Sequence, residues 1–91
     1  MEIRRLVVIA RDHAHFDQWR RENQISRDDR RIVHVMGPRD LAGLGYPPRY
    51  VVAGLPESPS RALTDALYEL EARGVRVGNK ELAAFIAAGE A

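Results

Sequence analysis

The stretch RYVVAGLPESPSRALTDALYELEAR, residues 49–73, decides the fold because it contains the pattern of a strand, a loop and a helix. Residues 50–53 are apolar without alternation, which predicts a strand covered on both faces, since a polar side chain there would be buried without a partner. Uninterrupted apolar strands of this kind are typical of parallel sheets. The stretch therefore predicts an α/β fold.

The same stretch contains signals for the start and the end of the helix. Gly54 and Pro56 interrupt regular structure, and Ser58 followed by Pro59 supplies a side-chain acceptor for free amides and a residue suited to a first helical turn. Apolar residues then recur at helical spacing, at positions 63, 66, 67 and 70. Gly74 predicts the end of the helix.

Three further apolar runs predict the other strands. Residues 6–10, LVVIA, are uninterrupted and predict a second central parallel strand. Residues 32–36, IVHVM, are interrupted by His34, which favours an edge or a half-exposed strand. Residues 75–77 are short and alternating, as expected of a last edge strand.

Helices are predicted between these strands and after the last one. They span residues 13–23 after Asp12 as a cap, residues 38–44, and residues 80–88 after Asn79 as a cap. The order βαβαβαβα has connections too long for hairpins, which indicates a small four-stranded parallel sheet with right-handed crossovers. We expect one Rossmann-like or flavodoxin-like three-layer α/β domain over residues 1–91, with the strand order 2-1-3-4 or 2-3-1-4.

Composition restricts the class of protein. The chain has 91 residues, 45% of them apolar and 30% charged, which is typical of one soluble globular domain. Cysteine is absent, which excludes disulfides and thiolate chemistry and suits the cytoplasm. The first apolar run is too short for a signal peptide or a membrane span. The net charge of +1 gives no overall attraction to nucleic acid, and the preference for Arg over Lys is better explained by a GC-rich coding genome than by a binding surface.

Residues 32–59, IVHVMGPRDLAGLGYPPRYVVAGLPESP, resemble a segment of small uncharacterised proteins of actinobacteriophages. They are also similar to the strand, short helix and strand of RecA-like nucleotide-hydrolase domains. A RecA-like enzyme needs a phosphate-binding loop of the form GxxxxGK[ST], whereas Arg11, Asp12 and His13 follow the first strand here. The resemblance therefore implies a relative without the hydrolytic residues, a phage accessory protein that binds a component of its host.

Polar side chains follow each predicted strand, where ligands bind in open α/β sheets. They are Arg11, Asp12 and His13 after the first strand, Arg39 and Asp40 after the second, Glu57, Ser58, Ser60 and Arg61 after the third, and Asn79 and Lys80 after the fourth. Arginines beside helix amino termini suit a phosphate. Ordinary helix capping by Asp12, Asp40 and Ser58 explains the same residues without a ligand.

His13 and His15 are possible metal ligands, but their spacing does not favour a shared metal site. His13 and His15 lie near Asp12 and Asp17, but side chains two residues apart on a helix point to different faces. We therefore expect solvated histidines and no metal site. His34, within a strand, is expected at the margin of the core with a hydrogen-bond partner rather than as a general base.

Basic residues between positions 20 and 31 raise the possibility of nucleic-acid binding. The candidates are Arg20, Arg21, Arg27, Arg30 and Arg31, with Trp19 as an aromatic platform. Burial of Trp19 with Phe16 is the simpler expectation, and Asp28 and Asp29 reduce the local positive field.

No nucleophile elbow or carboxylate pair supports catalysis, and no cofactor is predicted. The sequence is most consistent with a small non-catalytic phage-type accessory protein of the cytoplasm that binds another protein or itself. Residues 32–36 and 75–77 are the candidate edges for self-association. The alternative is a binder of a nucleotide or another phosphorylated small molecule at the strand ends, and the second alternative is a nucleic-acid binder.

Overall fold

A computed structural model describes residues 5–89, so the ends of the predicted domain, residues 1–4 and 90–91, lie outside the described residues. The strands are β1 (Leu6–Ile9), β2 (Ile32–His34), β3 (Arg49–Val52) and β4 (Val75–Arg76), and the helices are α1 (His13–Glu22), α2 (Arg61–Arg73) and α3 (Asn79–Gly89). A short 3₁₀ helix, Pro38–Leu41, lies between β2 and β3. The predicted α/β class is confirmed.

The four strands form one parallel sheet in the order β2-β1-β3-β4. In the register, Leu6 is paired with Ile32 on one side and with Arg49 on the other. The order 2-1-3-4 is therefore correct and 2-3-1-4 is wrong. Both strands expected in the centre lie there, and both strands expected outside form the edges.

Successive residues of β1 point to opposite faces of the sheet, and each face has its own core. Val7 and Ile9 belong to the cluster beneath α2 and the 3₁₀ helix, which includes Leu63, Ala66 and Leu70. Leu6 and Val8 belong to the cluster beneath α1 and α3, which includes Val77, Phe85 and the half-buried Phe16 and Trp19. The predicted inward position of Phe16 and Trp19 is thus confirmed, and the sheet is the middle layer of three.

The first two helices end earlier than predicted, in each case for a local reason. Helix α1 ends at Glu22, since Gln24 takes a left-handed conformation (φ 56°) and turns the buried Ile25 back against the helix. The helix predicted over residues 38–44 ends at Leu41, because Gly43 and Gly45 have positive φ values of 78° and 86°.

β1, β2 and β4 are one or two residues shorter than predicted, and β3 is shifted by one residue. β2 ends at His34: the Val35 amide still donates to the Val8 carbonyl, but the Met36 amide turns to the Asp40 carboxylate. β3 spans residues 49–52 rather than 50–53, because the amides of Ala53 and Gly54 share the Ile9 carbonyl and close the ladder.

Of the four predicted helix-end residues Asp12, Gly74, Ser58 and Asn79, two agree with the structure and two differ. Asp12 caps α1 as predicted, and Gly74 ends α2 as predicted. Ser60, not Ser58, caps α2, because its hydroxyl is the one that accepts from the Leu63 amide, at 3.1 Å. Asn79 is the first residue of α3 rather than a residue that precedes it.

We expect Leu70→Ala to lower the free energy of unfolding by about 2–5 kcal/mol, because Leu70 is fully buried beneath the sheet. Tyr68→Ala is the matched control in the same helix, since Tyr68 is 77% exposed, and it should change stability by about 0.5 kcal/mol or less. Urea unfolding followed by far-ultraviolet circular dichroism measures both. Equal losses in the two variants would contradict the assignment of the buried face of α2.

Candidate interaction surface at the β2 edge

The loops at the carboxyl ends of the strands use their polar residues for local structure. Asp12 accepts a hydrogen bond from the His15 amide at 2.7 Å, and Asp40 accepts one from the Met36 amide at 2.9 Å. Ser60 accepts one from the Leu63 amide, while Ser58 is exposed and makes no such bond. At each of these three positions, one backbone amide is therefore bound by a side chain of the chain itself.

The crevice between β1 and β3 is filled by His15. The chain leaves these two strands toward opposite faces of the sheet, which makes the crevice the expected ligand position in an open α/β fold. The His15 ring accepts a hydrogen bond from the Arg11 amide at 3.1 Å. A Cβ atom on Gly54 would lie 2.6 Å from the His15 ring, so the imidazole packs directly on the backbone of the neighbouring loop.

Three exposed arginines remain along this edge. Arg11, Arg39 and Arg61 make no ion pair within residues 5–89. Arg39 and Arg61 belong to neighbouring segments, because the Cβ position of Gly37 lies 3.2 Å from Ala62. Exposed acids lie in the same loops, namely Asp12, Asp40 and Glu57, while Asn79 and Lys80 follow β4 at the far end of the sheet. The edge therefore carries charges of both signs rather than a concentrated positive field.

His13 and His15 point in different directions, as their spacing predicts. His15 lies against Gly54, whereas the ring of His13 is 6.1 Å from that of Phe16 and 5.9 Å from that of His34, measured between centroids. In the part of the chain that the structure describes, no three His, Asp or Glu side chains are grouped so as to hold a metal ion.

His34 is stacked on Phe16, with ring centroids 4.7 Å apart and planes 4° from parallel. Its Nε2 atom is buried and has no hydrogen-bond partner among the described residues, so the expected partner is missing there. Burial lowers the pKa of His34, and the neighbouring His13 lowers it further, whereas Asp40 and Asp12 act in the opposite direction. Burial of the imidazole against the Phe16 ring thus favours its neutral form over its charged form.

At the outer edge of β2, backbone groups have no hydrogen-bond partner within residues 5–89. Leu6 donates to the Arg31 carbonyl and Val35 donates to the Val8 carbonyl, so these groups of the second strand face β1. In a parallel ladder the direction alternates, which turns the N–H and C=O groups of Ile32 and His34 away from β1. No other described backbone group binds these two amides.

An open pocket of about 430 Å³ lies beside this edge, between α1 and the connector that leads to β2. Phe16 and Ile32 provide its apolar lining, and Asp17, Arg27 and Asp29 are among its charged side chains. We refer to it as the β2 pocket. A strand added to β2 would direct every second side chain toward the face on which this pocket opens.

Arg20 is committed to the structure and does not present its charge to solvent. It is 8% exposed and donates to the Asp17 carboxylate and to the Ile25 carbonyl, both at 3.0 Å. The hydrogen bond from Arg20 lowers the pKa of Asp17. This arginine closes the turn that follows α1.

Arg31 is engaged in the same way on the other side of the pocket. It donates to the Asp29 carboxylate at 2.7 Å and to the Phe85 carbonyl at 2.8 Å, and its guanidinium carbon lies 4.0 Å from the centroid of the Phe85 ring. The pKa of Asp29 is lowered and that of Arg31 is raised by their mutual hydrogen bonds. Arg31 thereby links the start of β2 to α3.

Of the five arginines considered for nucleic-acid binding, Arg21, Arg27 and Arg30 remain exposed without an ion pair in residues 5–89. Trp19 packs toward the core and offers no exposed platform. Of the residues that nucleic-acid binding would need on one surface, Arg20, Arg31 and Trp19 are therefore used in contacts within the chain. Arg21, Arg27 and Arg30 lie at separate surface positions.

Comparisons of the chain with protein-family models, with curated proteins and with solved structures returned no match. They add no support to the resemblance to phage proteins or to RecA-like domains. Among residues 5–89, no helix is both long enough and apolar enough to cross a membrane.

We expect the stability of the protein to fall as the pH is lowered from about 7 toward 5, because the pKa of His34 is lower in the folded than in the unfolded chain. The unfolded state then binds the proton more readily, and stability is lost below the unfolded pKa of about 6.5. Asp17 and Asp29, whose pKa values are also lowered, act only at more acidic pH.

The variant His34→Phe keeps an aromatic ring on Phe16 and removes the titrating group. Its stability should depend less on pH than that of the wild type in urea unfolding measured at pH 7.5 and 5.5. An equal decrease in both proteins would show that the pH dependence arises elsewhere.

Proposed function

We propose that this chain is a small non-catalytic interaction domain of the cytoplasm that pairs the free edge of β2 with an extended segment of a protein chain. In such β-augmentation the main-chain hydrogen bonds provide affinity, and pockets for alternate side chains provide specificity. The resemblance of residues 32–59 to phage proteins supports an accessory role in a phage, acting on a component of the host.

The outward N–H and C=O groups of Ile32 and His34, next to the β2 pocket, are the observation that carries this proposal. Exposed strand edges pair readily with other chains, and proteins that avoid this cover or distort them. β2 borders an open pocket that is lined by Phe16 and Ile32 together with charged side chains. Backbone pairing and side-chain recognition are thus available at the same place.

Polar residues at the carboxyl edge of the sheet are already used in contacts within the chain, which favours the β2 edge as the docking position. Asp12, Asp40 and Ser60 bind backbone amides there, and His15 fills the crevice between the central strands. A small anion there would compete with these contacts. A partner chain at the β2 edge would displace no backbone hydrogen bond made by residues 5–89.

We expect Ile32→Pro to abolish capture of the partner from the native cell, because proline removes an outward N–H group and its ring obstructs a neighbouring strand. Arg76→Pro is the matched control on the opposite edge, where Val75 and Val77 bind β3 and Arg76 faces outward. Affinity capture with tagged proteins followed by mass spectrometry compares them with the wild type.

A partner that is lost with Ile32→Pro and retained with Arg76→Pro supports docking at β2. Circular dichroism must show that both variants are folded. A partner that is captured equally by all three proteins would refute the β2 edge as the docking position.

A binder of nucleotides or other phosphorylated small molecules is the second candidate, favoured by the exposed Arg11, Arg39 and Arg61 at the carboxyl edge. It predicts that ATP or inorganic phosphate raises the melting temperature, and that replacing the three arginines with glutamine removes the rise. Our leading proposal predicts no rise in a thermal-shift assay. A rise that depends on these arginines would favour the second candidate.

A further inference from the structure

We propose that the segment that pairs with β2 is the β2 strand of a second copy of this chain, in a two-fold antiparallel arrangement centred on Val33. This inference rests on the proposed function, since it names the occupant of the same edge.

The backbone of β2 has the symmetry that such pairing requires. The outward groups belong to Ile32 and His34, which lie on either side of Val33. With a two-fold axis between Val33 of one copy and Val33 of the other, Ile32 of one copy faces His34 of the other. These two residues then exchange both of their backbone hydrogen bonds. Every outward N–H and C=O group of Ile32 and His34 then has a partner, and no residue of the strand is left over.

The side chains agree with this register on both faces of the sheet. On the face of α2, Val33 meets Val33 of the second copy, and both are half-buried apolar side chains. On the face of α1, Ile32 meets His34 of the second copy beside the β2 pocket, which leaves space for the opposing side chains.

Charge and exposure are complementary along the same line. Met36, which is 46% exposed, and Arg30 lie just beyond the two ends of β2, so the antiparallel arrangement brings Met36 of one copy near Arg30 of the other. The aliphatic part of Arg30 can cover Met36, and its guanidinium group reaches toward Asp40, whose carboxylate is bound to the Met36 amide. Arg30 is exposed and has no ion pair within the described part of its own chain. The two-fold axis makes this contact twice.

A single cysteine at position 33 tests the register directly, because the natural chain contains no cysteine. Residues opposite each other in a non-hydrogen-bonded antiparallel pair have Cα atoms about 4.5 Å apart, within the range of about 4.4–6.8 Å that disulfides span. We expect Val33→Cys to form a disulfide-linked dimer under mild oxidation. Arg76→Cys, on the opposite edge, is the matched control and should remain largely monomeric on a non-reducing gel.

Light scattering of the cysteine-free protein gives an independent readout. Across a concentration series, the wild type should approach twice the chain mass of 10.3 kDa, Arg76→Pro should behave like the wild type, and Ile32→Pro should remain a monomer. Circular dichroism of reduced Val33→Cys confirms that this variant is folded.

A wild type that remains monomeric at millimolar concentration, together with equal cross-linking of the two cysteine variants, would overturn the inference. If Ile32→Pro still abolished capture of a different protein, docking at β2 would stand and only the second copy as its occupant would be refuted. If Ile32→Pro kept both self-association and capture, docking at β2 and the second copy as its occupant would both be refuted.

Discussion

The burial of β1 between two strands and two helical layers is the constraint on which the rest of the structure depends. Its residues, Leu6–Ile9, are 1% exposed or less, and they alternate between the two cores. Apolar burial on both faces requires helices on both sides of the sheet, and pairing on both edges requires β2 and β3 as neighbours. With only four strands, this arrangement leaves β2 with one paired edge and one open edge. The candidate interaction surface is thus a consequence of how the core is built.

Most of the fold can be predicted from local patterns in the sequence. The apolar runs at residues 6–10 and 50–53 identify the central strands, and glycine, proline and the helical spacing after Leu63 place the connections. The sequence does not distinguish the strand order 2-1-3-4 from 2-3-1-4, because hydrophobicity does not determine which of the two central strands lies beside β2. The choice between Ser58 and Ser60 as a cap also depends on the path of the loop between β3 and α2, which residue periodicity does not report.

The candidate surface is less accessible to sequence reasoning. The interruption of residues 32–36 by His34 correctly indicates an edge strand, and this is the sequence signal that points to the β2 edge. The β2 pocket, in contrast, arises where residues of α1 meet residues 27–32, and Arg31 reaches across to Phe85, 54 residues away. Such contacts depend on tertiary packing, so neither residue spacing nor composition reveals them. The same packing converts Arg20 from a predicted surface cation into a buried structural residue.

Two ion pairs hold most of the charged side chains around the β2 pocket. Asp17 is paired with Arg20 and Asp29 with Arg31, and Arg27 is the arginine of the pocket lining that has no ion pair within residues 5–89. Ion pairs at such partly exposed positions add little to stability, so their contribution here is to fix the turn after α1 and the start of β2. Nucleic-acid affinity depends on many cations free to contact phosphates. Pairing through backbone hydrogen bonds needs no net charge, and it needs an edge held in a fixed position. By anchoring both ends of the segment between α1 and β2, these two arginines hold that edge in place.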